Sequence, residues 1–267
     1  MDDDASPAEP ARPARHDVAR GRADTPARLV LLPSPLLGPA TWAPVAWELA
    51  RRGWSAGTAA PVGPVRTPQD VLTGMLRAIP DGPEPVLVAH SNSGLYLAAL
   101  ADRLPVRALV FVDAGLPRAA SPTPVAPEAL VEHLTGLVGD DGLLPPWTEW
   151  WPEAEIRGLL PDDEARGAVQ REQRRLPLAY FRDSVPSPPG WERLPAAYLA
   201  FGDTYAEERA EAERRGWPTE TLPGGHLHQI VEPAAVAATL TRLVGLAEQP
   251  AEDGPSAIRD GGASPVD

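Results

Sequence analysis

The stretch Val86-Leu87-Val88-Ala89-His90-Ser91-Asn92-Ser93-Gly94, followed by an apolar run over residues 95–100, decides the fold of this chain. The first four residues predict a buried strand and the later run predicts a helix, with a very tight turn between them. Ser91 stands at the apex of the turn, and the residues two positions away on each side, Ala89 and Ser93, are small. Because larger side chains would clash in so sharp a reversal, the pattern predicts a nucleophile elbow with a strained, exposed serine.

Outside this stretch, short apolar runs alternate with segments of helical periodicity. The runs predict strands, and the periodic segments predict amphipathic helices after residue 42, after the N-cap Thr67 and from Pro233 onward. Strands that alternate with helices favour a mostly parallel sheet covered on both faces, so the predicted fold class is α/β. The predicted strands are residues 29–32, 54–60, 86–89, 108–112, 196–201 and 220–222.

Residues 117–195 interrupt this alternation with a long, proline-rich segment that carries several tryptophans. We interpret the segment as a mostly helical cap over the carboxyl ends of the strands, where ligands bind in open α/β sheets. Trp147, Trp150 and Trp151 are its candidate substrate-binding residues. The alternative is a loosely packed surface excursion. The predicted core then consists of two parts, residues 28–116 and 196–248.

The two ends of the chain differ in composition from this body. Residues 1–27 are rich in Pro, Ala, Asp and Arg, and residues 249–267 add Gly, with no apolar period in either stretch. Such sequences bury too little apolar surface to fold, so both ends are predicted to be disordered tails.

Charge and residue usage exclude several classes of function. The net charge of −13 disfavours nucleic acid and anionic membranes as partners. The chain has no lysine, which excludes a Schiff-base lysine and a phosphate-loop lysine, and no cysteine, which excludes thiol nucleophiles. The acidic start and the absence of a long apolar run predict a cytoplasmic protein. The expected partner is a small-molecule substrate, and the oligomeric state is not predictable.

A base for the serine is expected in Gly224-Gly225-His226-Leu227-His228, which follows the last predicted strand. Histidine is the usual proton acceptor at neutral pH. His226 is favoured because the two glycines before it permit a close approach, and His228 is the alternative. His-x-His also suits a metal, but no third ligand stands at a convincing spacing, so neither metal nor cofactor is expected.

Two acids stand at strand ends where they could orient the imidazole. Asp203 follows the strand before the histidine loop, and Asp113 follows the strand after the elbow helix. Either satisfies the chain order Ser, Asp, His. Asp203 is preferred because its loop neighbours the histidine loop, and Asp113 is the alternative, otherwise explained as a turn residue.

With these pieces, residues 29–247 resemble the α/β-hydrolase superfamily. The elbow, and Gly225-His226 with Pro233 seven residues after the histidine, are similar to its small, cofactor-free, esterase-like members. The resemblance implies the α/β-hydrolase fold with a cap that shapes the substrate pocket. It also implies that Ser91 is the nucleophile, His226 the base and Asp203 the acid.

The chain departs from the family pattern at three places. Pro33-Ser34-Pro35 replaces the usual His-Gly after the first strand, and its second proline has no N–H for an oxyanion hole. The expected donors are therefore Leu36 and Asn92. Tyr205 stands where the family places its acid, three residues after a glycine, and Ser93 replaces the outer glycine of the elbow.

The function predicted from these residues is a carboxylesterase-like serine hydrolase. It would cleave a small, fairly apolar ester through an acyl-enzyme on Ser91, with an amide or thioester as variants. The replacement of His-Gly motivates a rival, a non-catalytic small-molecule-binding protein of the same fold. A third hypothesis keeps the triad but assigns a lyase, cyclase or peroxidase-type reaction, since one scaffold hosts many chemistries.

Overall fold

The computed structural model describes residues 27–249, so the two predicted tails lie outside the described residues except for residues 27 and 249. Six parallel strands form the main sheet, and two short strands pair antiparallel in the cap segment. The strands are β1 (Arg28–Leu32), β2 (Ser55–Thr58), β3 (Pro85–Ser91), β4 (Ala108–Ala114), β5 (Thr123–Pro124), β6 (Ser184–Val185), β7 (Ala196–Phe201) and β8 (Thr219–Leu222).

Helices connect the strands and cover both faces of the sheet. None of the helices within residues 27–249 is both long and apolar enough to cross a membrane. The α-helices are α1 (Ala43–Arg51), α2 (Pro68–Ala78), α3 (Leu97–Ala101), α4 (Glu128–Thr135), α5 (Glu153–Gly158), α6 (Asp163–Glu172), α7 (Leu178–Phe181), α8 (Ala206–Arg214), α9 (His228–Val231) and α10 (Pro233–Ala247).

The strand order is β2-β1-β3-β4-β7-β8, which places β3 and β4 at the centre of the sheet. Every residue of these two strands is buried, in keeping with their continuous apolar sequences. Both extend further than predicted, because the pairing continues through His90–Val112 to Ser91–Ala114 at their ends. Their carboxyl ends therefore bring Ser91 and Asp113 to the same edge of the sheet.

Alternate side chains build two hydrophobic layers. In β1, Leu29 and Leu31 face the layer covered by α1 and α10, whereas Val30 and Leu32 face the layer that α2, α3 and the cap share. Burial of one such side chain contributes about 1.5–3 kcal/mol, so the central strands form a rigid base for the residues at their ends.

Helix α2 begins where its sequence predicts. Thr67 accepts a hydrogen bond from the Asp70 N–H, and the Asp70 carboxylate accepts one from the Thr67 N–H at 2.9 Å. This reciprocal capping box satisfies two N–H groups at the start of the helix.

The segment between β4 and β7 folds into helices α4 to α7 and the β5–β6 pair, with a hydrophobic interior continuous with one layer of the core. Polar contacts fix it to the body. The Arg174 guanidinium donates to the Pro61 and Gly63 carbonyl oxygens at 2.6 and 2.8 Å, and the Glu172 carboxylate accepts from the Ala40 N–H at 2.6 Å. The segment is therefore packed against the body and is not a loose excursion.

Gly94 lies where the elbow touches the end of β4. A Cβ atom at Gly94 would overlap the backbone carbonyl oxygen of Gly115, which has little freedom to move. We expect Gly94→Ala to lower the free energy of unfolding by about 1–3 kcal/mol, measured by denaturant titration.

Gly245→Ala is the matched control for this substitution. Gly245 is exposed in α10, and a Cβ atom there meets nothing within 4 Å. The control should raise the free energy of unfolding by about 0.5–1 kcal/mol, since alanine favours a helix over glycine. Equal effects of the two substitutions would contradict a close approach at Gly94.

Candidate active site

Ser91 ends β3 in a conformation that non-glycine residues rarely adopt. Its φ is 60° and its ψ is −130°, and the 3₁₀ turn Asn92–Tyr96 begins at the next residue. Such a backbone costs about 1–3 kcal/mol and persists where the surroundings enforce it. Here the buried strand on one side and the helix on the other turn the serine hydroxyl out of the sheet edge, as the elbow predicts.

Asp113 reaches the same edge through a β-bulge. The register between β3 and β4 passes from His90–Val112 to Ser91–Ala114, so Asp113 is an extra residue on its strand. Its φ of 42° is a left-handed value that aspartate tolerates better than most residues. A bulge redirects a side chain, and this one points the carboxylate along the strand ends.

Hydrogen bonds from β7 fix the bulge and the carboxylate. Asp113 is fully buried, and its Oδ1 accepts from the Phe201 N–H at 3.0 Å. The Tyr198 hydroxyl donates to the Ala114 carbonyl oxygen at 2.8 Å and accepts from the Ala114 N–H at 3.1 Å. Burial without partners would be costly for a carboxylate, so these contacts stabilise it in one orientation.

His226 joins Asp113 to Ser91. Its Nδ1 lies 2.6 Å from Asp113 Oδ2, and its Nε2 lies 3.0 Å from Ser91 Oγ. A carboxylate only accepts hydrogen bonds, so Nδ1 carries the proton and Nε2 is left to accept the serine proton. The three side chains form a continuous hydrogen-bonded line, an arrangement that can activate a serine as a nucleophile.

The preference for Asp203 as the acid is wrong in this structure. After β7 the chain turns at Gly202, whose φ is 74°, and the Asp203 side chain is 90% exposed, 3.7 Å from the Arg209 guanidinium. The alternative, Asp113, is the acid beside His226.

Tyr205, which sequence reasoning did not assign to the site, lies beside the serine: its hydroxyl is 3.4 Å from Ser91 Oγ. Its position at the family's usual acid place was the available signal.

The alternative base, His228, is held elsewhere. It is buried at the start of α9, with its ring edge-on to Phe201 at 5.4 Å. The glycines before His226 are required for close packing, since a Cβ atom at Gly225 would overlap the Leu159 side chain. His226 is thus the histidine that the loop brings to the serine.

His90 holds the histidine loop in place through a hydrogen bond, a role that sequence reasoning missed. Its Nε2–H donates to the His226 carbonyl oxygen at 2.8 Å, and the two rings lie 4.6 Å apart. Complete burial, and secondarily the neighbouring His226, hold the pKa of His90 well below its ordinary value of 6.5. His90 is therefore a neutral donor that positions the loop.

The loop after β1 forms one side of the expected oxyanion hole. The Leu37 N–H donates to the Ser34 carbonyl oxygen at 2.9 Å, which makes a turn with Pro35 second and Leu36 third. Proline suits that second position because it needs no N–H there. Among the described residues, no hydrogen bond engages the Leu36 N–H.

Ser93 ties this loop to the elbow. Its hydroxyl lies within hydrogen-bonding distance of the carbonyl oxygens of Leu32, Pro33 and His90, at 3.1, 2.8 and 2.9 Å, and its single proton is shared among them. The serine that replaces the family's glycine thus holds the β1 loop against the turn that carries Ser91.

The Asn92 side chain connects the elbow to the cap. Its Nδ2 donates to the Val125 carbonyl oxygen at 3.0 Å, and its Oδ1 accepts from the Tyr180 hydroxyl at 2.6 Å. The Tyr180 hydroxyl also contacts that of Tyr96 at 2.8 Å. The Asn92 N–H is the first of its 3₁₀ turn and has no intrahelical acceptor, so it is suited to an oxyanion hole.

The three cap tryptophans occupy different surroundings. The Trp147 ring is 6.3 Å from the His226 ring and lies at the site. The structure shows no contact of the other two with the triad among the described residues: Trp150 packs on Phe181 inside the cap, and Trp151 stacks on His133 at the exposed surface, with ring distances of 5.4 and 4.8 Å. The spacing of the tryptophans could not show which faces the strand ends.

No cluster of three or more His, Cys, Asp or Glu side chains within residues 27–249 has the arrangement of a metal site. What the candidate site does contain is a serine hydroxyl, an imidazole, a carboxylate, a phenol and backbone N–H groups. This set of groups suits acyl transfer through a serine.

No protein-family model matches this sequence, and no curated protein matches it. Solved structures do. An extracellular α/β-hydrolase from a Paenibacillus species has 15% identity and a TM-score of 0.67, over 82% of this chain and 99% of that one. A pyrethroid hydrolase from Sphingobium faniae has 18% identity and a TM-score of 0.62, over 83% of this chain and 98% of that one. A methylesterase from Arabidopsis has 17% identity and a TM-score of 0.59, over 82% of this chain and 99% of that one.

These similarities confirm the predicted fold class. The chain has the α/β-hydrolase fold, with a six-stranded parallel sheet flanked by helices. The resemblance drawn from the elbow and the histidine loop is confirmed at the level of the fold.

The pKa of His90 predicts how acid affects stability. In the unfolded chain His90 has its ordinary pKa of 6.5, whereas burial lowers the pKa in the folded protein. The unfolded state therefore binds more protons below that pH, so the contribution of His90 to stability is lost as pH falls through and below 6.5. For this one group the slope is at most about 1.4 kcal/mol per pH unit.

His90→Gln keeps a donor for the His226 carbonyl oxygen but does not titrate. Urea unfolding of both proteins at about pH 7.5, 6.0 and 5.0, values on both sides of the ordinary pKa, would test this. We expect the free energy of unfolding to fall more steeply with acid in the unchanged protein than in the variant. Parallel pH dependences would show that His90 does not contribute.

Proposed function

We propose that this protein is a serine hydrolase that cleaves a small, fairly apolar carboxylic ester. The observation that carries the proposal is the line Asp113–His226–Ser91, with contacts of 2.6 and 3.0 Å. An activated serine needs a base within hydrogen-bonding distance and a third group that orients the base. Both requirements are met by side chains that come from three different strand ends.

In the first half of the reaction, Ser91 Oγ attacks the ester carbonyl carbon while its proton passes to His226 Nε2. The tetrahedral intermediate collapses when the bond to the alcohol oxygen breaks, and His226 returns the proton to that oxygen. Water then attacks the acyl-enzyme by the same steps in reverse order, which releases the acid and restores Ser91. Asp113 holds the imidazole and stabilises it while it is protonated.

The oxyanion of the intermediate would be bound by two backbone N–H groups, those of Asn92 and Leu36. The first lies at the start of the 3₁₀ turn, and the second lies in a turn fixed to the elbow by the Ser93 hydroxyl. Preorganised donors of this kind contribute about 3–4 kcal/mol each to lowering the barrier.

The surroundings of the triad support a small, apolar substrate. Ser91 is 8% exposed, and Trp147 lies near His226 on the cap side. An apolar wall around a few polar groups is typical of small-molecule sites. The cap that supplies Trp147 would thus shape the pocket. The proteins of similar structure include a methylesterase and a pyrethroid hydrolase.

The assembled triad weighs against a non-catalytic binding protein, because simple binding requires no proton relay. A reaction other than hydrolysis would use the same three groups. Measuring whether esters are cleaved therefore distinguishes a hydrolase from an enzyme with another reaction. A cytoplasmic location stays a prediction.

We expect a fluorophosphonate probe to modify the folded protein at Ser91, detected by intact mass and peptide mapping. A panel of p-nitrophenyl esters of increasing acyl length should be turned over, best for short to medium chains. Ser91→Ala should abolish labelling and lower turnover by about 10³-fold or more. A folded protein that neither labels at Ser91 nor cleaves any ester would disprove the hydrolase proposal.

The two candidate acids give a second prediction. Asp113→Asn should lower kcat/KM by about 10⁴-fold, because an amide no longer holds the imidazole in the required tautomer. Asp203→Asn is the matched control, and it should change kcat/KM by less than about threefold because the Asp203 side chain is 90% exposed. The opposite ranking would restore Asp203 as the acid.

A further inference from the structure

The Tyr205 hydroxyl is a polar group at the reacting centre that the triad does not use. It lies 3.4 Å from Ser91 Oγ, and its ring is 5.7 Å from the His226 ring. Tyr205 precedes α8, so its backbone is held at the start of that helix. A phenol placed so close to a nucleophile and its base is within reach of a substrate bound between them.

The hydrogen-bonding state of Tyr205 differs from that of the other tyrosines. The chain has four tyrosines, and the hydroxyls of Tyr96, Tyr180 and Tyr198 each make a hydrogen bond of 2.8 Å or shorter. Across the described part of the chain, the Tyr205 hydroxyl has one partner, Ser91 Oγ, at 3.4 Å. That distance exceeds the usual value of about 2.7–2.8 Å for two hydroxyls, so the group is held loosely.

The direction of the protons follows from the triad. The Ser91 proton goes to His226 Nε2, which leaves Ser91 Oγ to accept from the Tyr205 O–H. Burial raises the pKa of Tyr205 to about 12, so the phenol keeps its proton at neutral pH. Tyr205 is therefore a neutral donor aimed at the oxygen that attacks the substrate.

The topology places this donor on the base side of the serine. In the sheet order, β1 lies on one side of β3, whereas β4, β7 and β8 lie on the other. The Leu36 loop follows β1, but Tyr205 follows β7 and His226 follows β8. Tyr205 thus approaches with the histidine, opposite the expected oxyanion hole, where the leaving oxygen must receive its proton.

We infer that Tyr205 is a further catalytic residue, one that donates a hydrogen bond to the leaving-group oxygen of the ester. The inference rests on the proposed hydrolase function. During acylation the carbon–oxygen bond of the ester breaks, the electron pair stays on the alcohol oxygen, and His226 supplies the proton. The Tyr205 O–H stabilises the developing negative charge on that oxygen and is not itself consumed. During deacylation the attacking water takes the same place.

Esters of one acid with different alcohols test this role. For the acid that the unchanged protein cleaves best, methyl, phenyl and p-nitrophenyl esters would be compared in kcat/KM, which reports acylation. Tyr205→Phe keeps the ring and removes the hydroxyl. We expect a loss of about 10- to 100-fold for the methyl ester, whose leaving oxygen needs help, and less than about threefold for the p-nitrophenyl ester. The dependence of log(kcat/KM) on leaving-group pKa becomes steeper.

Tyr96→Phe is the matched control. It also removes one buried tyrosine hydroxyl, but that hydroxyl contacts Tyr180 and makes no contact with Ser91, His226 or Asp113 among the described residues. Any loss in this control should be equal for the three esters. An equal loss for all three esters in Tyr205→Phe would overturn the inference and leave the hydrolase proposal intact. Absence of turnover and of fluorophosphonate labelling in the unchanged, folded protein would overturn both.

Discussion

The hydrogen-bonded line from Asp113 through His226 to Ser91 depends on two strained residues at the ends of adjacent strands. Ser91 and Asp113 have φ values of 60° and 42°, and each such residue costs about 1–3 kcal/mol. The fully buried strands β3 and β4 offset that cost. A slip by one residue would turn the polar residues at their ends to the opposite face, away from hydrogen bonds such as those of His90 and Asp113. The rigid sheet thus fixes the positions of Ser91 and Asp113 at its edge.

The histidine comes from a loop, so it needs separate support. That support is the buried imidazole of His90, which donates to the His226 carbonyl oxygen at 2.8 Å. Because His90 directly precedes the nucleophile, any shift of the elbow also shifts the support of the base. The nucleophile and the base are therefore coupled through one short backbone segment, and the cap joins the same unit through the Asn92 side chain and Tyr180.

The sequence contained enough information to predict the sheet, the elbow and the histidine loop, because each depends on local patterns. An apolar run that ends in small residues specifies β3 and its turn, and two glycines specify the approach of His226.

The acid could not be predicted from a local pattern in the same way. Asp113 becomes available only because a bulge adds one residue to β4, and a bulge is a matter of pairing between strands that no local pattern of residues 108–114 reveals. One signal was present: an acid that ends an otherwise apolar central strand must find partners, whereas Asp203 in an exposed turn needs none. The orientation of the cap tryptophans was equally beyond prediction, since Trp147, Trp150 and Trp151 differ only in how a long segment folds back.

The three departures from the family pattern have one physical consequence in common. Pro35 removes an N–H from the loop after β1, yet it fixes the turn in which the next N–H, that of Leu36, has no acceptor among the described residues. Ser93 replaces a glycine and uses its hydroxyl to hold that loop against the elbow. Tyr205 replaces the usual acid, and because Asp113 already orients His226 from β4, the position after β7 is free to carry a donor instead of a carboxylate. A carboxylate there would repel the charge that develops on a leaving oxygen, whereas a neutral phenol attracts it. Moving the acid to the bulge is thus what allows a third polar group to face the substrate from the base side.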